Sequence, residues 1–120
     1  MTIPPLSPSA SRTERDLLGE RTLPAGALRG IHTARAIQNF PLAGRPVRAD
    51  LVRAYGAVKL ACLETNAELG HLPAEIVPAL RQACEELADG ALGEHVVVDA
   101  LQGGAGTSTD MNVNEVLAYR

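Results

Sequence analysis

Gln102-Gly103-Gly104-Ala105-Gly106-Thr107-Ser108-Thr109-Asp110-Met111-Asn112-Val113-Asn114-Glu115 joins a glycine-rich loop, three hydroxyl side chains and the opening of a helix. Glycine lets backbone approach a ligand closely and tolerates positive φ. A helix N-terminus directly after such a loop offers unpaired N–H groups and the positive end of a dipole, and both favour an anion. The details disfavour a nucleotide. A phosphate-cradling loop needs a lysine before the hydroxyl, and none stands there. A dinucleotide fingerprint needs G-x-G-x-x-G; Gly104-Ala105-Gly106 begins it, but Thr109 takes the place of the third glycine. Hydroxyls and backbone donors without a lysine suit a carboxylate, whose oxygens accept directed hydrogen bonds. Ser108 and Thr109 have a second reading as N-caps, because hydroxyl residues are the ordinary choice at a helix start.

Upstream of this run the clearest periodicity lies in residues 48–69. There Leu51, Tyr55, Val58, Cys62, Thr65 and Leu69 recur at spacings of four and three, which predicts a long amphipathic helix. Gly70 is placed to close it in a left-handed C′ conformation, and Pro73 to begin the next helix. In that second helix, residues 73–88, Ile76, Leu80, Ala83 and Leu87 repeat the spacing, so the two should pack antiparallel through these stripes. Pro78 lacks an N–H and crowds the carbonyl four residues back, which delays the regular helix beyond Pro73. Cys62 and Cys84, the only cysteines, fall on these stripes as small buried thiols.

The remaining segments are shorter. Residues 32–40 make about two helical turns, stopped by Pro41, Gly44 and Pro46. Residues 12–30 show no sustained period and read as a loose hairpin or paired extended segments. Residues 1–11, with three prolines and three serines, read as a mobile tail. Val96-Val97-Val98 is a strand or an extended lead into the glycine loop. A third helix is expected from near Thr109 with Val113, Val116 and Leu117 on one face. Its pattern is still running at Arg120, so the C-terminus is expected to be cut and the helix to lack packing partners. The fold class is mainly α: an antiparallel helix pair, short extended segments near the N-terminus and a truncated third helix, all within residues 12–120.

Composition narrows the function classes. The chain has 120 residues, 46% hydrophobic and 21% charged, with a net charge of −3. Its eleven basic residues are scattered, so there is no footprint for nucleic acid. No apolar run approaches the roughly 18 to 20 residues that span a bilayer, and the N-terminus lacks the pattern of a secretory signal. A cytoplasmic location without membrane association is the default expectation. His32, His71 and His95 show no metal-ligand spacing.

Two blocks of sequence resemble one family. Residues 102–109, followed by Met111-Asn112-Val113-Asn114-Glu115-Val116-Leu117-Ala118, are similar to the aspartase/fumarase superfamily, and the Gly-Gly-Ala-Gly-Thr-Ser form looks more like its aspartate ammonia-lyase branch than its fumarase branch. Asp16-Leu17-Leu18-Gly19, Pro24, Gly30-Ile31-His32-Thr33 and Arg35-Ala36-Ile37-Gln38-Asn39-Phe40 resemble the amino-terminal signature of the same superfamily, in the same order. The resemblance implies the first, mostly helical domain of a much longer enzyme. It further implies a homotetramer whose sites draw on three subunits, reversible elimination of ammonia from L-aspartate to give fumarate, and no organic cofactor. By position, Thr107 matches the threonine whose hydroxyl and amide hold a substrate carboxylate, with Ala105 and Gly106 supplying backbone around it. Ser108, Thr109 and Asn112 are then expected beside it. Thr33 and Arg35 are expected to tie the hairpin to the helices, and Glu115 to balance the helix dipole.

There are departures from the pattern. Asp110 replaces an asparagine, and a carboxylate so close to a dicarboxylate site would repel the ligand or need a raised pKa. Leu28, Arg29 and Leu101 stand where aromatics are common. No general base or nucleophile with a partner can be assembled from local spacing, and the segments that would carry the base lie outside these residues. Three readings stay open: part of an aspartate ammonia-lyase, part of a fumarase or related lyase, or a non-catalytic helical module that binds through an exposed Val113-Val116-Leu117 stripe.

Overall fold

In the computed structural model, which describes residues 10–120, a two-stranded hairpin precedes four α-helices. The strands are β1 (Ser11–Asp16) and β2 (Gly19–Pro24); the helices are α1 (Ile31–Asn39), α2 (Ala49–Glu68), α3 (Val77–Ala88) and α4 (Thr107–Tyr119). A single 3-10 turn, Gly93–His95, lies between α3 and the glycine loop. The tail expected over residues 1–11 falls outside the described residues as far as residue 9, and Ser11 already belongs to β1.

The α2 and α3 pair forms as the periodicity predicts, and both helices end by the same device. Gly70, at φ +73°, lets the Gly70 N–H reach the Ala67 carbonyl and the His71 N–H reach the Asn66 carbonyl, a complete Schellman closure. Gly90 repeats it at the end of α3, with Ala91 N–H on the Glu86 carbonyl. At the start of α3 the proline argument also holds: the regular helix begins at Val77 rather than Pro73, with Pro78 in its first turn.

The buried face of α2 differs from the expected one. Leu51, Val58 and Leu69 are exposed, at 47%, 59% and 62%, and Cys62 and Thr65 are exposed with them. Val52, Gly56 and Leu63, one residue round the cylinder, form the buried row. Both rows are apolar, so spacing alone does not choose between them. Gly56 does: a Cβ built there would lie 2.7 Å from the Ala88 Cα and closer still to the Ala88 nitrogen, so the α2 and α3 backbones meet where only hydrogen fits. Cys84 is buried as expected and Cys62 is not.

Helix α4 supplies the other half of the core. It starts at Thr107, two residues before the expected Thr109, and Val113, Val116 and Leu117 are 0%, 0% and 8% exposed. They pack with Val52, Leu63, Cys84 and Leu87 in one cluster. The stripe is therefore the interior of this domain, not an exposed binding face, and α4 has its packing partners within the chain. Val96-Val97-Val98 forms no strand; Val96 and Val98 are buried beneath α4, and the adjoining Asp99 makes an isolated bridge to Pro46.

The hairpin is held by charge. Arg12, Glu14 and Asp16 alternate inward along β1, while Thr13 and Arg15 are exposed. Arg12 donates to the carbonyls of Pro24, Ala25, Ala27 and Arg29, and its guanidinium lies 4.4 Å from the Tyr119 ring centroid. Arg35 grips Asp16 through two bonds of 2.8 and 2.7 Å, which holds the Asp16 carboxyl below its ordinary pKa. This is the tie between hairpin and helix expected of Arg35.

Thr33 makes its side-chain bond not to the hairpin, as expected, but to α4, through Glu115. The Glu115 carboxylate accepts the His32 N–H (3.3 Å), the Thr33 N–H (2.7 Å) and the Thr33 hydroxyl (2.6 Å). Glu115 sits two turns along α4, too far from that helix's start to balance its dipole. It caps the N-terminus of α1 instead, sharing the task with Glu14 of β1, which accepts the Ile31 N–H at 3.0 Å, because the N-cap Gly30 has no side chain of its own.

Two substitutions test this architecture. At an exposed helix position Gly→Ala gains about 1 kcal/mol, but Gly56→Ala should lower stability by about 1–3 kcal/mol through overpacking, read as a fall in the urea midpoint. Glu115→Ala should cost about 2–3 kcal/mol, the worth of hydrogen bonds to a charged group. Loss of amide-exchange protection should then appear first at His32 and Thr33; an unchanged α1 would refute the capping role.

Candidate functional site

The loop of residues 102–106 runs into α4 through three glycines in left-handed backbone, Gly103, Gly104 and Gly106, at φ +81°, +88° and +75°. L-residues rarely adopt that conformation, so the path of this loop requires glycine. Gly106 is the N-cap of α4, which places Thr107, Ser108 and Thr109 in its first turn rather than at the cap. The capping alternative for Ser108 and Thr109 therefore falls away.

Capping is carried out from a distance. The Gln102 side-chain carbonyl accepts the Thr109 N–H at 2.8 Å, and its amide donates to the Asp99 backbone carbonyl at 2.6 Å. One side chain thus closes the glycine loop and satisfies the third N–H of the helix. The Thr107 and Ser108 N–H groups and hydroxyls make no hydrogen bond among the described residues. Ala105 and Thr107 are exposed, and Gly106 and Ser108 half-buried. The free donors of Thr107 and Ser108 form a set within reach of solvent.

Thr109 and Asn112 lie behind that set, at 3% and 0% exposure. The Asn112 side-chain carbonyl accepts the Val97 and Val98 N–H groups at 2.8 and 3.3 Å, and its amide donates to the His95 carbonyl at 3.1 Å. Asn112 thereby fixes the valine segment under α4, and its polar atoms face backbone.

Sequence reasoning gave no role to Asp99, which anchors the loop. Only 9% exposed, its carboxylate accepts the N–H groups of Leu42, Ala43, Gly44 and Leu101 at 2.8–3.1 Å. The Leu101 N–H, with those of Ala43, Gly44 and Leu42, holds the Asp99 carboxyl below its ordinary pKa against the opposing effect of burial. An aspartate two residues before another loop amide, in a glycine-rich context, is an Asx-type signal visible in the sequence. Its partners at residues 42–44 are not.

The electrostatics differ from expectation at Asp110. Lys59 of α2 pairs with its carboxylate at 2.9 Å, and Asn114 donates to the second oxygen at 3.3 Å, so the negative charge beside the loop is already compensated. An open hollow of about 320 Å³ borders the loop, lined by Leu42, Val47, Leu51, Leu101 and glycine backbone, with no cationic residue. Of the expected site residues, Gly106 and Thr109 line this hollow, whereas Ala105, Thr107, Ser108 and Asn112 do not. His32, His71 and His95 lie on separate elements, and no cluster of metal-ligating side chains occurs among the described residues.

Comparisons with known proteins identify the family of this fold. The model of a lyase family matches residues 19–120, and the chain belongs to that family, the aspartase/fumarase superfamily. It is 50% identical over 116 residues to the aspartate ammonia-lyase of Pseudomonas aeruginosa, covering 94% of this chain and 24% of that protein. It is 43% identical over 107 residues to the class II fumarate hydratase of Mycobacterium tuberculosis, covering 89% and 23%. Among solved structures, a fumarate lyase:delta crystallin of Brucella melitensis superposes with a TM-score of 0.87 at 46% identity, over 92% of this chain and 26% of that one. The chain thus spans about a quarter of the length of the curated relatives it matches.

Asp99 makes the acid limit of this site testable. Its folded pKa is depressed below an unfolded value of about 3.9, so its stabilisation is complete above that range and lost as pH falls through the folded value. Asp99→Asn should lower the melting temperature at neutral pH and flatten the loss of stability below about pH 4. Thermal melts of both proteins across the acid range check this; parallel curves would exclude the anchor.

Proposed function

We propose that this chain is the amino-terminal, carboxylate-binding part of an aspartate ammonia-lyase, which reversibly eliminates ammonia from L-aspartate to give fumarate. The start of α4 carries the reading: the N–H groups and hydroxyls of Thr107 and Ser108 are unspent because Gln102 caps the helix. A substrate carboxylate supplies the acceptors those donors lack, at the positive end of a helix dipole. Ala105 and Gly106 enclose it with backbone, and the buried Thr109 and Asn112 shape the floor beneath. Identities of 40–50% to aspartate ammonia-lyases support the ammonia-lyase branch.

Elimination needs a base to take the proton from the carbon beside the β-carboxylate, and donors to stabilise the resulting dianion until ammonia leaves. Thr107 and its neighbours serve the second need by preorganised hydrogen bonding. Ser108 has no histidine or carboxylate hydrogen-bonded to it among the described residues, so the base is assigned to a part of the enzyme outside them. The complete site is assigned to a cytoplasmic homotetramer, without an organic cofactor. A second reading, hydration of fumarate to malate, is favoured by the 43% identity to class II fumarate hydratases.

Fumarate formation from L-aspartate should be absent for this chain alone and present for the full product of its reading frame. In that full product, Thr107→Val should reduce kcat/KM for aspartate by about a hundredfold, the scale of losing one oxyanion donor. Turnover of malate but not aspartate would replace the first reading with the second.

A further inference from the structure

We infer that Gln102 is a positioning residue whose task is to keep the Thr107 and Ser108 hydroxyls free for ligand; this rests on the carboxylate-binding reading above. A helix that opens with hydroxyl residues ordinarily spends one of them on its own amides. Here the N-cap is Gly106, which has no side chain, and the Thr109 N–H goes to the Gln102 carbonyl. Gln102 is itself held by its bond to the Asp99 carbonyl, and Asp99 is fixed by amides from two loops. The chain of contacts runs from residues 42–44 through Asp99 and Gln102 to the first turn of α4, and it bypasses both hydroxyls.

Removing Gln102 leaves the Thr109 N–H orphaned at 3% exposure of its residue, a cost that a nearby hydroxyl can relieve only by turning inward. The site would then be lost as Thr107 leaves helical backbone to become the N-cap, its hydroxyl accepting the Thr109 N–H, with the helix beyond it intact. The hydrogen bonds of Gln102 therefore act on the ligand through Thr107 and Ser108 rather than by touching it.

Succinate, a dicarboxylate that cannot react, is the probe, and amide spectra of the 120-residue chain are the readout. Wild-type Thr107 and Ser108 amides should shift on titration. Gln102→Met keeps the side-chain length without either hydrogen bond. It should weaken succinate binding by at least about tenfold, equivalent to about 1.4 kcal/mol, and speed exchange at the Thr109 amide. The Val113 to Ala118 amides should keep their helical shifts. Equal succinate response in the variant overturns the inference alone. Loss of the Val113 to Ala118 helical shifts overturns it too, because Gln102 would then hold the fold rather than the site. A wild-type chain whose Thr107 and Ser108 amides ignore succinate overturns both the inference and the carboxylate reading.

Discussion

A carboxylate of α4 seated on the N-terminus of α1 holds this domain in register. Glu115 takes the second and third amides of α1 and the Thr33 hydroxyl, and it does so on the helix that also carries the glycine loop. The bond is buried, so water does not compete for it, and leaving its partners unpaired would cost more than the bond itself contributes. With α1 fixed, Arg35 fixes Asp16 and the hairpin follows. With α4 fixed, Val113 and Val116 close the core over α2 and α3.

Beyond that bond, polar side chains address backbone throughout the domain. Asp99 gathers amides from two loops, Asn112 seals the valine segment, Gln102 caps α4 and Arg12 collects four carbonyls. Loops cannot satisfy their own amides as helices do, and a small domain with few aromatic residues has little apolar bulk to bury them. Long polar side chains acting on main chain solve both problems and make loop positions exact to within a hydrogen bond. The glycine loop inherits that exactness, since both of its ends are tied.

Much of this was legible in the sequence. Gly70 and Pro78 fixed where α2 stops and α3 starts because each acts through its own backbone, without distant partners. The hairpin, the helix pair and the loop-to-helix junction followed from local chemistry and from the two family blocks. The buried row of α2 was not legible, because two adjacent rows are apolar and the choice depends on Gly56 meeting Ala88 across the pair. The burial of the α4 stripe was missed for a similar reason: its partners lie in helices far away in sequence. At the site, the donors of Thr107 were legible from their position. The reach of Asp99 to residues 42–44 and of Gln102 to Thr109 was not, since each depends on an amide that no residue type reveals.

The span of the Glu115 to Thr33 bond, 82 residues, has a consequence for assembly. The α2 and α3 hairpin needs only neighbours in sequence and can form as soon as both helices exist, whereas the α1 to α4 contact must wait for a long loop to close. Because α4 is the last of these elements in chain order, synthesis delivers a preformed helix pair with an open groove before it delivers the helix that fills it. The glycine loop lies at the entrance to that last helix. It is therefore organised in the same event that completes the core, so that an incompletely folded chain presents no ordered loop to a ligand.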